Sequence, residues 1–349
     1  MRALELARRH QRGLSLVELM VGLVVAMMVA LAAASGAMMF SSQQRQGVGT
    51  ATAVSTATNA LAALKEDAAG AGLGFFGDTS YLCKTLRVSV GTADRSQDHF
   101  APLQVTRSAS GDQLDLVSAA EVASGANVLL QAPSDTSSAK LATYLPVAAG
   151  QAVLLAPAPG AIDPVCTVRT VTEVTPATAD SPLKLSFASS GAHNAVNFSS
   201  ATQYLIKDRI ALLGELQWHQ YRLSGETLVI DQPLTGASSA TLLRNVVGFR
   251  VQYGIAGANG TTIESWEDPV GAWATLSQSN VAQVRALRIG ITARSQQPEK
   301  ADPDGQCHAS DTKPSLLGTQ LALSGNWQCF RYRTEVVTVP LRNLVMGMR

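Results

Sequence analysis

A chain of 349 residues has room for one large or two medium domains. Only 15% of it is charged, with a net charge of +1, which provides neither a basic surface for nucleic acid nor a trap for acidic ligands. Aromatic residues are scarce, while Ala, Ser, Thr, Val, Gly and Leu dominate, a usage that beyond the N-terminus suits a soluble β-rich domain with many turns.

The chain begins with MRALELARRHQR, in which Arg2, Arg8, Arg9 and Arg12 stand against one Glu5. From Leu19 to Phe40 no residue is charged. As a helix that run measures about 33 Å, enough to cross a hydrocarbon core of roughly 30 Å. The arginines stay on the cytoplasmic side, so the rest of the chain is expected outside the inner membrane. Glu18 heads the span, and a carboxylate that close to hydrocarbon needs a cationic partner.

Ser41 to Ala69 keeps a helical period, with Val54, Ala57, Leu61 and Leu64 on one face. That face is expected to lie on a globular domain. Gly47 and Gly49 weaken the middle of the helix, and Gly70 and Gly72 end it. Short alternating runs then follow, among them 103–107, 113–118, 127–131, 152–156 and 183–187. A denser set lies beyond residue 200, with LSGET (223–227) as a hairpin signal. No helix and strand alternation of the parallel type is present, so an antiparallel sheet is expected. Residues 78–200, rich in Ser, Ala and Gly, read as a looser insert.

Four cysteines behind a targeting segment indicate an oxidising compartment. Spacing cannot decide among three pairings. The expectation is Cys307 with Cys329, closing a surface loop, and Cys83 with Cys166.

The string RG|LSLVEL, with Gly13 before the cut, Leu14 after it and Glu18 as the fifth mature residue, resembles the leader and start of a type IV prepilin. The family more often has Phe where this chain has Leu14. Cleavage after Gly13 leaves an ammonium on Leu14, which the prepilin peptidase methylates without removing its charge. The resemblance thus supplies a partner for Glu18: the N-terminal ammonium of a neighbouring subunit. The segments 242–255, 281–295 and 332–344, ending in LRN, are similar to the PilW family of minor pilins, in the same order.

The resemblance implies an α+β, type IV pilin-like fold in which a long N-terminal helix packs on a mainly antiparallel sheet domain. Its parts are a leader (1–13), a membrane-spanning, filament-core helix (14–40), an amphipathic continuation (41–70) and an extracytoplasmic β-rich domain (71–349). That domain holds the insert at 78–200 and a PilW-like core sheet at 201–349. The implied role is a minor pilin that primes pilus assembly at or near the tip. Its partners would be the prepilin peptidase, other minor pilins and the major pilin, the inner-membrane assembly platform and a large tip adhesin. A J-type pseudopilin of type II secretion is the nearest alternative. A signal-anchored periplasmic adhesin or enzyme is the alternative from another class, and cleavage within AAASG (32–36) is the alternative processing.

The remaining motifs point to no chemistry. Gly72–Gly77 matches GxGxxG but follows a helix, where a dinucleotide fingerprint must follow a strand. ADPDGQCH (301–308) begins like a calcium loop and lacks its later ligands. No CxxC or HExxH spacing occurs, so no metal, cofactor or enzymatic activity is expected. His219, within LQWHQYRL, reads as a residue of the sheet surface, and the four tryptophans as core or interface residues.

Overall fold

The computed structural model describes residues 15–75, 83–120, 126–134, 137–196, 204–257, 260 and 262–346. Two compact units divide the chain, Met1–Thr52 and Ala53–Arg349.

The first unit contains most of the helix Leu16–Gly70. Its apolar stretch Leu16–Ala37 is 22 residues long, with no part of it buried. The helix runs through Gly47 and Gly49, expected as a weak middle, and through Ser35-Gly36, where the Ser35 hydroxyl donates to the Ala32 carbonyl at 2.9 Å.

In the second unit the helix ends against the sheets. Ala57, Ala60, Leu61, Leu64 and Ala68 are buried, the three-and-four spacing of an apolar face. After Gly70 the chain turns through Gly72 and Gly74, both at positive φ, a region that side chains disfavour. The Gly72 amide donates to the Val117 carbonyl and the Ala119 amide to the Leu73 carbonyl, tying the turn to a strand.

The described strands form four main sheets. The first has five strands in the spatial order Thr85–Arg87, Val165–Thr170, Ala152–Ala156, Arg209–Gly214 and Asn127–Leu129. The second, also of five, runs Ala240–Arg244, Thr227–Asp231, Leu216–Ser224, Gly111–Ala119 and Leu103–Ser108. The third has four strands: Ser265–Glu267, Val246–Ile255, Val284–Arg294 and Tyr332–Pro340. A three-stranded sheet joins Glu173–Thr175, Leu183–Ser186 and Ser138–Leu141. Pairing in these sheets is antiparallel apart from one contact, in which Thr85–Arg87 runs parallel to residues 165–167. The class is α+β.

Two differences from the sequence reading have physical causes. The line at residue 200 does not separate sheets, because Gly111–Ala119 bonds along seven positions to Leu216–Ser224. Nor is the preceding segment loose. Leu130, Leu141, Leu145, Val153, Leu155 and Val171 form a core of their own with Tyr204, Ile210 and Leu212. Small residues with short alternating runs make tight sheets as well as loops, and only the long-range partners distinguish the two.

Glycines let the strapped loop approach the third sheet. A Cβ on Gly290 would stand 2.6 Å from Leu316 Cδ1, and one on Gly248 would stand 2.7 Å from Leu321 Cδ1. Leu316 and Leu321 lie between Cys307 and Cys329, which are bonded, so the loop is pressed onto the sheet by leucines and tied at its base. The second disulfide joins Cys83 to Cys166 across 83 residues.

Candidate functional site

The N-terminal end of the long helix is the first element of the site. Gly13 and Leu14 lie outside the described residues. Ser15 is the residue before the helix; its hydroxyl accepts from the Val17 amide at 3.3 Å, while Glu18 Oε2 reaches back to the Ser15 amide at 3.4 Å. This is a variant of the capping box that S-x-x-E makes at a helix start, with the hydroxyl on the second amide of the helix instead of the third. The sequence reading missed it, although Ser15 and Glu18 carry its spacing. Glu18 is exposed in the single chain, so its carboxylate is held in direction yet open to an incoming cation.

The other end of the helix is locked by polar contacts across long stretches of chain. Asp67 Oδ2 accepts from the Tyr221 hydroxyl at 2.5 Å and pairs with His219 Nδ1, and Gln232 approaches His219 Nε2 at 3.3 Å. Burial, with the Asp67 charge beside it, pushes the Tyr221 hydroxyl pKa well up and keeps it protonated as a donor. His219 therefore lies on the sheet face under the helix and is mostly buried, not on a solvated sheet surface. Alternation in LQWHQYRL sets a face, but which face meets the helix is decided only by packing.

At the last turn, Asn343 Nδ2 donates to the carbonyls of Ala69 and Gly70, 3.3 and 3.2 Å away. Those carbonyls have no partner within the helix, and a side-chain amide supplies one. Leu341 and Leu344 are buried in the core on either side. The closing LRN is thus a clasp on the helix end.

Residues 203–343 match the family described as Type IV Pilus-assembly protein W, and residues 8–34 match the Prokaryotic N-terminal methylation motif. The chain carries a PilW-family domain behind a prepilin-type N-terminus. Its structure is similar to that of a type IV-like pilin from Thermus thermophilus, at 11% identity over 83% of this chain and 97% of that one, with a TM-score of 0.34. No curated protein matches the chain.

A buried carboxylate from outside the matched region fastens a sheet to Arg250 within it. Asp112, at the start of Gly111–Ala119, has a fully buried side chain that pairs with Arg107 at 3.1 Å and with Arg250 at 2.8 Å. Its second oxygen accepts from the Val251 amide at 2.8 Å. Arg107 extends the network to Asp268 at 3.0 Å. Burial raises the Asp268 pKa, but hydrogen bonds from Arg107 and Gln252 and the two arginine charges outweigh it and hold the carboxyl below its usual range. Close by, the Val105 amide donates to the Tyr253 hydroxyl at 2.7 Å. Sequence reading missed Asp112 because an isolated Asp beside a hairpin glycine reads as a turn residue.

The other chemistry-bearing residues have structural places. Trp218 is buried and donates to Asp115, and Trp266 lies under the Arg288 guanidinium, 3.9 Å from its ring centre. Asp302 and His308 are 3.6 Å apart in an exposed turn closed by the Gly305 amide on the Asp302 carbonyl. Among the described residues, no group of three His, Cys, Asp or Glu side chains could hold a metal ion.

His193 sets a pH response. It is buried, and its Nδ1 donates to the Ser89 carbonyl at 2.7 Å. Burial lowers its pKa, the Ser89 bond opposes this, and the Arg169 charge lowers it further. The native histidine thus stays neutral where the unfolded chain, titrating near pH ~6.5, is already charged. The unfolded state then binds more protons, so stability is full above that pH and falls as pH drops toward the lower native pKa. The slope is at most about 1.4 kcal/mol per pH unit. Unfolding midpoints at pH 7.5 and 5.5 should differ less in His193→Gln than in the parent. An equal difference would remove this assignment.

Proposed function

We propose that this chain is a minor pilin that takes part in priming type IV pilus assembly at or near the filament tip. Prepilin peptidase cuts between Gly13 and Leu14 and methylates the new terminus. Until assembly the apolar helix holds the protein in the inner membrane by a single pass, with the arginine-rich leader on the cytoplasmic side. The helix then enters the filament core, where Glu18 pairs with the Leu14 ammonium of a neighbouring subunit, and the β-rich domain contacts other minor pilins. The protein works by packing, as pilins do, without chemistry of its own.

The observation that carries this reading is an exposed carboxylate, Glu18, five residues past a Gly13-Leu14 junction and at the head of a wholly exposed apolar span. Mass spectrometry of the N-terminus, on protein from its native membrane, tests the processing. N-methylated Leu14 that appears only with the peptidase supports it. An intact Met1, or a start near Ala34, overturns it.

Glu18 has two roles that substitution separates. Glutamine keeps the capping box and removes the charge. Leaving one partner of a buried ion pair alone costs about 3–5 kcal/mol, on the order of a hundredfold or more in incorporation. Glu18→Gln should be processed and held in the membrane normally yet be nearly absent from sheared filaments. Incorporation at the parental level would leave Glu18 as a helix cap only.

A further inference from the structure

Where the strands Ser138–Leu141 and Leu183–Ser186 part, they leave an open groove of about 710 Å³. Leu141 and Leu183 form the last rung of the pairing. Beyond it one chain leaves along 142–147 and the other returns through 176–182, and these are the two walls. The floor is rigid, since Leu141, Leu145 and Leu183 belong to the second core.

The walls have a distinct chemistry. Tyr144 is 78% exposed although its neighbour Leu145 is 1% exposed, so a well-anchored backbone holds an aromatic ring out over the opening. Facing it lies a turn bracketed by Pro176 and Pro182. The Thr178 amide donates to the Ser181 carbonyl at 2.8 Å and their hydroxyls are 2.7 Å apart, which closes that turn. Among the described residues of the lining, Asp180 is the one that carries a charge, and no lysine, arginine or histidine accompanies it.

That lining selects among ligands. An anion, whether a phosphate, a nucleic acid strand or a sulfated glycan, would meet a carboxylate and no cation. A wholly apolar ligand would take the Asp180 carboxylate and the Tyr144 hydroxyl out of water without offering them a partner. A neutral sugar satisfies both faces: its C–H face stacks on the electron-rich ring of Tyr144, and its hydroxyls donate to Asp180 and exchange hydrogen bonds with threonine and serine. Openness on one side suits a chain more than a small enclosed molecule, and the volume falls within the range of ligand sites. We propose that this groove binds neutral oligosaccharide, giving the protein a contact with glycans that is independent of its packing in a filament.

The test uses the full chain in a detergent without a sugar headgroup, probed by saturation-transfer NMR and calorimetry. The panel comprises maltotriose, chitotriose, cellotriose and a neutral galactose trisaccharide. A sulfated heparin disaccharide and a proline-rich decapeptide serve as competing chemistries. At least one neutral sugar should bind, with protons of one sugar face most saturated. Tyr144→Ala should weaken that binding about tenfold and Tyr144→Phe should preserve it. Asp180→Asn should weaken it while the near-ultraviolet circular dichroism stays unchanged. Failure of every neutral sugar, binding indifferent to Tyr144→Ala, or binding of the sulfated sugar or the peptide alone would each overturn the proposal.

Discussion

Replacing both members of the Cys83–Cys166 disulfide by alanine is expected to lower the unfolding free energy by about 4–5 kcal/mol on the loop-entropy model. The bond closes 83 residues, and the entropy it removes from the unfolded chain grows with the logarithm of that length. Cys307–Cys329 closes only 22 residues, which places its removal near ~3 kcal/mol. Position reinforces the order. Cys166 stands in register with Leu86 in the parallel pairing of the first sheet, and both Cys83 and Cys166 are buried among core residues. Without the covalent link, that pairing rests on a three-residue strand alone. Guanidinium unfolding of the full chain in detergent, followed by tryptophan fluorescence, ranks the two double variants. A smaller loss for Cys83→Ala/Cys166→Ala than for Cys307→Ala/Cys329→Ala would show that strand packing, not loop closure, holds this region.

Asp112→Ala should cost about 3–5 kcal/mol, because it leaves the Arg250 guanidinium without its carboxylate, takes one of the two carboxylates from Arg107 and orphans the Val251 amide. Arg250 and Asp112 are 138 residues apart and belong to different sheets, so the loss should loosen the junction between those sheets. Asp112→Asn keeps an acceptor for Val251 and removes the charge, and is expected to fall between parent and alanine. Hydrogen exchange locates the effect: amides of 246–255 and 103–119 should lose protection before those of the first sheet. Uniform loss of protection, or a cost below about 1 kcal/mol, would mean that the network is as weak as a surface ion pair. The network also anchors the turn before the strand. A Cβ on Gly111, at φ +146°, would stand 2.9 Å from the Leu223 side chain, so a larger residue there would be strained.

These two devices separate what one strand of letters can show from what it cannot. The uncharged span, Glu18 at its head and the helical face of Ala57, Leu61 and Leu64 were all legible, because each depends on neighbours within a few residues. So were most strands and the hairpin at 223–227, where a period of two and a glycine at positive φ are local facts. The capping box was equally local, and Ser15 with Glu18 announced it.

Only the tertiary structure decided the rest. His219 alternates correctly for a strand, yet its side chain meets Asp67, 152 positions earlier, because packing chose the helix side of the sheet. Asn343 reads as a polar residue near a terminus, and its amide caps a helix that ended 273 residues before. Asp112 reads as a turn former and is a buried staple. The groove under Tyr144 exists only because two strands separate after Leu141 and Leu183. The sequence by itself determined the apolar N-terminal helix, its packed face and the β-rich class, since periodicity and charge act over short distances. Which strand lies beside which, and which polar residues meet in the interior, follow from burying all the faces at once, and no local pattern records that solution.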